Sequence, residues 1–150
     1  MIKSLFDSAE SQKTIDRINS LSSTSGAQWG KMNVTQMLIH CQQPLKVCLG
    51  ELKLKKGLMG MLFGGMIKKM ILKDEPYNPN LPTAREFIIT GSGDFENEKK
   101  ALIEFVKRFS QNGAHGLPKE PHPVFGKLTD AEWDFMQWKH LDHHLRQFGV

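Results

Sequence analysis

Four times along this chain a residue suited to cap a helix stands ahead of apolar side chains that recur every three or four positions, whereas only Phe87-Ile88-Ile89-Thr90 reads locally as a strand. That pattern restricts the fold to packed helices, because a lone strand has no partner for its backbone hydrogen bonds. Asp7-Ser8-Ala9-Glu10 has the form of a capping box ahead of Ile15, Ile18 and Leu21, which predicts a helix over about residues 8–21. Asn33-Val34-Thr35-Gln36 offers a second cap, and Met37, Leu38, Cys41, Leu45, Cys48 and Leu49 carry the pattern over about residues 34–49. Asp94 caps a segment of about residues 95–111 with the stripe Leu102, Phe105, Val106 and Phe109, and Gly113 lies beyond its end. Thr129-Asp130-Ala131-Glu132 opens the last segment, about residues 130–147, with Leu141, Leu145 and Phe148 on the core side and Lys139, Asp142 and Arg146 opposite. The expected architecture is an all-α, four-helix bundle with long Pro- and Gly-rich connections.

Pro44 falls inside the second segment and cannot donate to the carbonyl of residue 40, so a bend is expected near His40. Residues 57–72, interrupted by Gly57, Gly60, Gly64 and Gly65, are expected to be flexible at the start and helical towards the end. The apolar run is too short to cross a bilayer and should pack across the mouth of the bundle; an interfacial membrane contact, favoured by flanking lysines, is the alternative. Pro76, Pro79 and Pro82 impose an extended connection, and residues 87–90 are read as extended chain covering apolar surface. With no repeat or linker to divide it, the chain reads as a single domain over residues 1–150.

A hydrophobic share of 39% and a charged share of 24% are those of a soluble globular protein. The segment from Met1 to Asp7 has no apolar run of signal-peptide length, so a cytoplasmic location is expected. Cys41 and Cys48 on one helix stand about 10 Å apart along its axis, too far to bridge. They read as buried thiols, with a reactive or metal-bound Cys41 beside His40 as the alternative. The net charge is +4, and much of the excess is local: Lys53, Lys55, Lys56, Lys68, Lys69 and Lys73 against Glu51, Asp74 and Glu75. No aromatics interleave with these lysines, and there is no finger spacing or arginine-rich arm. The segment is therefore read as a solvated basic edge and not as a specific nucleic-acid site.

Chemistry concentrates in His140-Leu141-Asp142-His143-His144, which holds three of the six histidines. On a helix His140 and His144 lie about 40° apart on one face, the spacing at which two imidazoles share a metal ion. They sit at the edge of the apolar stripe, aligned with Trp133 and Gln137. His143 lies about 100° from His144, so one face cannot present all three. A third ligand must come from elsewhere: His40, His115, His122 or a carboxylate. His40 is preferred because it lies on a core helix beside the expected bend, although the wheel puts it on the flank of its stripe, about 120° from the centre.

Three stretches carry a resemblance: Trp29-Gly30-Lys31-Met32-Asn33-Val34-Thr35-Gln36-Met37-Leu38-Ile39-His40-Cys41, then Leu81-Pro82-Thr83-Ala84, then His122-Pro123-Val124-Phe125-Gly126-Lys127-Leu128 with the terminal Trp133 to Phe148. Together they resemble the DinB/YfiT-like superfamily over nearly the whole chain, and more narrowly one of its uncharacterised bacterial families. The resemblance implies a four-helix bundle in which one histidine of the second helix and an H-x3-H pair of the last bind a divalent metal, commonly zinc or nickel. On this chain those ligands map to His40, His140 and His144, and His143 is set aside. Relatives include thiol transferases that use bacillithiol or mycothiol and a mycothiol-dependent isomerase.

Two functions follow as expectations. One is a divalent-metal-dependent enzyme that transfers a low-molecular-weight thiol to a small electrophile, with Gln137 as a partner of the ligands and Trp29, Met37 or Trp133 lining the pocket. The other is a non-catalytic, stress-related binding protein with histidines as polar core residues, dimerising with a second copy through a helix face.

Overall fold

The computed structural model describes residues 3–55, 57–79, 81 and 83–150, without the side chains of Leu58, Met59 and Met61. Met1, Ile2, Lys56 and Pro82 of the readings above lie outside the described residues. Among the described residues there are five α-helices and no strand. They are α1 (Ser8–Ser20), α2 (Val34–Cys48), α3 (Leu58–Ile71), α4 (Phe95–Asn112) and α5 (Asp130–Gln147), with 3-10 turns at Arg85–Phe87 and Gly113–Gly116.

The cap chemistry sets the helix starts. Asn33 and Gln36 exchange side-chain-to-backbone hydrogen bonds at 2.8 and 3.1 Å, and Thr129 and Glu132 do the same at 3.2 and 2.8 Å. Asp94 accepts from Asn97 N at 2.9 Å. At α1 only half of the expected box forms. Asp7 accepts from Ala9 N and Glu10 N, while the Glu10 carboxylate turns to Lys13 and Lys3. Helix α2 runs unbroken through Pro44, next to which Gln43 Nε2 donates to Ile39 O at 2.7 Å.

Helix α2 packs against α4 and α5, and α1 packs against the same two helices. Leu5, Ile18, Met37, Leu38, Leu45, Leu102, Val106, Phe109, Leu141 and Leu145 are fully buried between them, each contributing roughly 1.5–3 kcal/mol of apolar burial. The expected polar side of α5 is a contact face. Asp142 pairs with Arg17 of α1 at 2.8 Å, and Lys139 is buried, its ammonium donating to the carbonyls of Ile71 and Lys73 at the end of α3. Of that trio only Arg146 is exposed.

Helix α3 starts at Leu58, earlier than its glycines suggest. Gly60 and Gly64 are not breaks but a flat face for the turn around Val124. A Cβ at Gly64 would lie 2.0 Å from Val124 O, and one at Gly60 2.9 Å from Val124 Cα. Lys68 extends the contact, donating to Lys127 O and pairing with Glu132 at 2.9 Å. The other lysines of the basic edge that are described, Lys53, Lys55, Lys69 and Lys73, are exposed. Within the described residues, no helix is long and apolar enough to cross a membrane.

Candidate metal centre

The packing of α2 on α5 brings His40 to His140 and His144. Their ring centroids are separated by 5.0 Å (His40–His140), 4.6 Å (His40–His144) and 4.7 Å (His140–His144). One ring nitrogen from each lies within 4.8 Å of the others, so the three can hold a metal ion. The flank position of His40 becomes interior because the connection after α3 covers it: His40 is 3% exposed and its Nδ1 donates to Phe87 O at 2.8 Å. Of the segment read as extended over residues 87–90, Phe87 instead closes a 3-10 turn over Arg85–Phe87 that presents the carbonyl, while Ile88 is extended.

The far nitrogens fix the tautomers. His40 Nδ1 is committed to a carbonyl, so its Nε2 carries a lone pair, and that atom lies 3.0 Å from His140 Nε2. His144 Nδ1 lies 2.8 Å from Gln147 Oε1, and the same amide donates through Nε2 to Trp29 O at 2.6 Å. That amide orientation makes His144 Nδ1 the donor and leaves its Nε2 as a second lone pair.

Burial lowers the pKa of all three. For His40 it is opposed only by the bond to Phe87. His140 falls well below the usual range through burial and then through His144 and His40. His144 is pushed down to about 3 by burial and then by His40. The cluster is therefore neutral at neutral pH, the form in which imidazole binds metals.

The remaining candidates divide. His115 is exposed in the Gly113–Gly116 turn. His122 is buried, but its Nδ1 accepts from Val124 N and Phe125 N to tie the turn together. His143 is not directed to open solvent: its ring lies 5.7 Å from Trp29 and 5.7 Å from Tyr77. Cys41 and Cys48 are free and buried, with both thiols pushed far up by burial, and Cys41 Sγ contacts Met37 Sδ. That contact places Met37 in the core rather than at the site.

A cavity of about 1250 Å³ adjoins the cluster. Trp29, Phe87, Trp133, Met136 and Gln137 line it, with Ile67 and Ile71 from the inner face of α3. Its charged lining residues, Lys31, Lys55, Arg85 and Glu86, are all exposed, so the interior is apolar apart from the histidines and a few neutral groups. Gln137 belongs to this wall; the amide bonded to a site histidine is Gln147. The i,i+3 step from His144 to Gln147 was the available sequence signal. Gly30, at φ +81°, lets the amide approach, since a Cβ there would lie 2.6 Å from Gln147 Nε2.

The chain belongs to the family described as protein of unknown function (DUF1569). The family's model matches residues 3–149. No curated protein and no solved structure matches the chain.

Proposed function

We propose that the protein binds one divalent transition-metal ion, zinc or nickel, through His40, His140 and His144, and uses it as an enzyme that joins a low-molecular-weight thiol to a small electrophile. The observation that carries the reading is the pairing of converging imidazoles with committed far nitrogens, which aims bare lone pairs of His40 and His144 at one region. This donor set suits the metal. Neutral imidazoles are ligands for zinc and nickel, and three of them leave a coordination position open. The ion would hold a thiol as its thiolate, the nucleophilic form. The chain itself supplies orientation through Phe87 and Gln147, and the apolar cavity excludes water around the electrophile.

We extend the proposal to descent. The five-helix architecture, with α1, α2, α4 and α5 read as a DinB/YfiT-type four-helix bundle and α3 as an addition in a long connection, supports membership of that superfamily. The H-x3-H pair on α5 and the histidine on α2 support it further. Two free thiols support a reducing, cytoplasmic setting.

A second reading has its own support. His40 Nε2 accepts from His140 Nε2 at 3.0 Å, and no fully buried side-chain nitrogen or oxygen among the described residues lacks a partner. The histidines therefore also satisfy one another as a polar core, as a non-catalytic binding protein or homodimer requires. Elemental analysis of untagged protein purified without chelator separates the two. About one equivalent of transition metal, followed by conjugation of monochlorobimane in the presence of a small thiol, supports the enzyme. Protein that neither retains nor takes up zinc or nickel is the polar-core protein.

A further inference from the structure

Helix α3 has an inner and an outer face, and both are apolar. The inner side is occupied: Gly60 and Gly64 seat the Val124 turn, and Ile67 and Ile71 line the cavity. On the outer side Leu62 is 67% exposed, Phe63 42%, Met66 64% and Met70 43%. These four fall within a sector of about 100°. They form a stripe of large side chains that folding leaves uncovered, the kind of patch that marks an interaction site.

Charge indicates what covers the stripe. Lys69 borders it, about 20° from Leu62, and the exposed Lys53, Lys55 and Lys73 lie just beyond the two ends of the helix. Of the acids nearest in sequence, Glu51 pairs with Arg108 at 2.6 Å, and the exposed Asp74 and Glu75 lie near the buried Lys139 ammonium, where they oppose the effect of burial. An apolar stripe edged by exposed ammonium groups is complementary to an anionic lipid surface.

A second copy of the chain is a poorer occupant. A two-fold contact, parallel or antiparallel, would set a basic end of the helix, marked by Lys53 and Lys55 or by Lys69 and Lys73, against a basic end of the other copy. Four side chains on one helix also fall short of the roughly 20–30 residues a side of a stable protein interface. With 14 residues, α3 is about 21 Å long, shorter than the roughly 30 Å core of a bilayer. It is built to lie on a membrane and not to cross one.

We infer that the outer face of α3 docks the protein on anionic phospholipid bilayers, with Leu62, Phe63, Met66 and Met70 inserted at the interface and Lys69 and Lys73 at the headgroups. Docking would set the apolar cavity one helix thickness from the lipid, beside a store of apolar ligands. The inference is independent of metal at the histidines.

The test is vesicle flotation of the full chain with phosphatidylcholine alone or mixed with phosphatidylglycerol, at low and raised salt. The expected result is about tenfold more bound protein on the anionic vesicles, weakening as salt rises. L62S/M66S should abolish binding, and K69E/K73E should abolish the preference for anionic lipid. All four positions are solvent-facing or lie on the exposed edge, and circular dichroism checks that both variants fold. Absence of binding, equal binding to both vesicles, or unchanged binding by the variants overturns the proposal. A dimer in light scattering that L62S/M66S splits, without vesicle binding, assigns the face to a second copy and overturns it as well.

Discussion

Gln147→Leu separates a metal centre from a histidine core more sharply than loss of a ligand does. The side chain is 3% exposed and holds two groups at once, accepting from His144 Nδ1 through Oε1 and donating to Trp29 O through Nε2. Leucine nearly matches its volume but leaves both groups unpaired in a dry site. At about 1–3 kcal/mol for each orphaned buried group, less the gain from an added apolar side chain, the metal-free protein should lose roughly 2–4 kcal/mol. Metal affinity should fall separately by about 10–100-fold, or roughly 1.4–2.7 kcal/mol, because His144 loses the partner that fixes its tautomer and ring orientation. The assay is competition for zinc against a chromophoric chelator, together with denaturant unfolding with and without zinc. The stability gained on adding zinc should shrink by the same amount that the affinity falls, since both report one binding free energy. A variant that loses metal-free stability but binds zinc within about twofold of the parent would refute the reasoning, because His144 would then be no ligand.

Three further outcomes are expected. His140→Ala and His144→Ala should each abolish stoichiometric zinc or nickel, whereas His143→Ala should retain it and lose only packing between Trp29 and Tyr77; metal analysis of the three variants decides, and loss of metal in His143→Ala alone would move the ligand pair to His140 and His143. His122 has its pKa lowered from 6.5 to about 4 by burial, so the folded state resists a proton that the unfolded chain accepts, and the stability present above about pH 6.5 drains away as pH falls towards 4. His122→Asn can keep an acceptor for Val124 N and Phe125 N without the titration, and should lose about 2 kcal/mol less stability than the parent between about pH 7 and pH 5 in urea unfolding; parallel slopes would sink the assignment. Gly64→Ala drives a Cβ to 2.0 Å from Val124 O, which should cost about 1–3 kcal/mol and release the 122–126 turn to proteolysis; a neutral substitution would mean that α3 is not seated on that turn.

The helices and the site were legible in the sequence to the extent that their causes are local. Caps at Asn33, Asp94 and Thr129 and stripes such as Leu102, Val106 and Phe109 are specified within a few residues, and so is the i,i+4 geometry of His140 and His144. The half-formed box at α1 has a local cause, Glu10 turning to Lys13 and Lys3, but the departures that bear on the site trace to partners supplied from far along the chain. The glycines of α3 read as breaks because Val124, whose turn they seat, belongs to a later segment. Lys139 reads as solvent-facing because the carbonyls that bury it, those of Ile71 and Lys73, arrive from the end of α3. His40 is the instructive case. A helical wheel assumes that cover comes from other helices, and by that measure the residue sits on a flank. Here cover comes from a connection, through a carbonyl 47 residues away. The turn that covers His40 also fixes its tautomer, so burial and ligand geometry at this position have a single cause. Gln147 does the same for His144, with Trp29 and Gly30 holding the amide from the loop ahead of α2. What periodicity leaves out is therefore the outer layer of the site, the loop contacts that orient His40 and His144 beside His140.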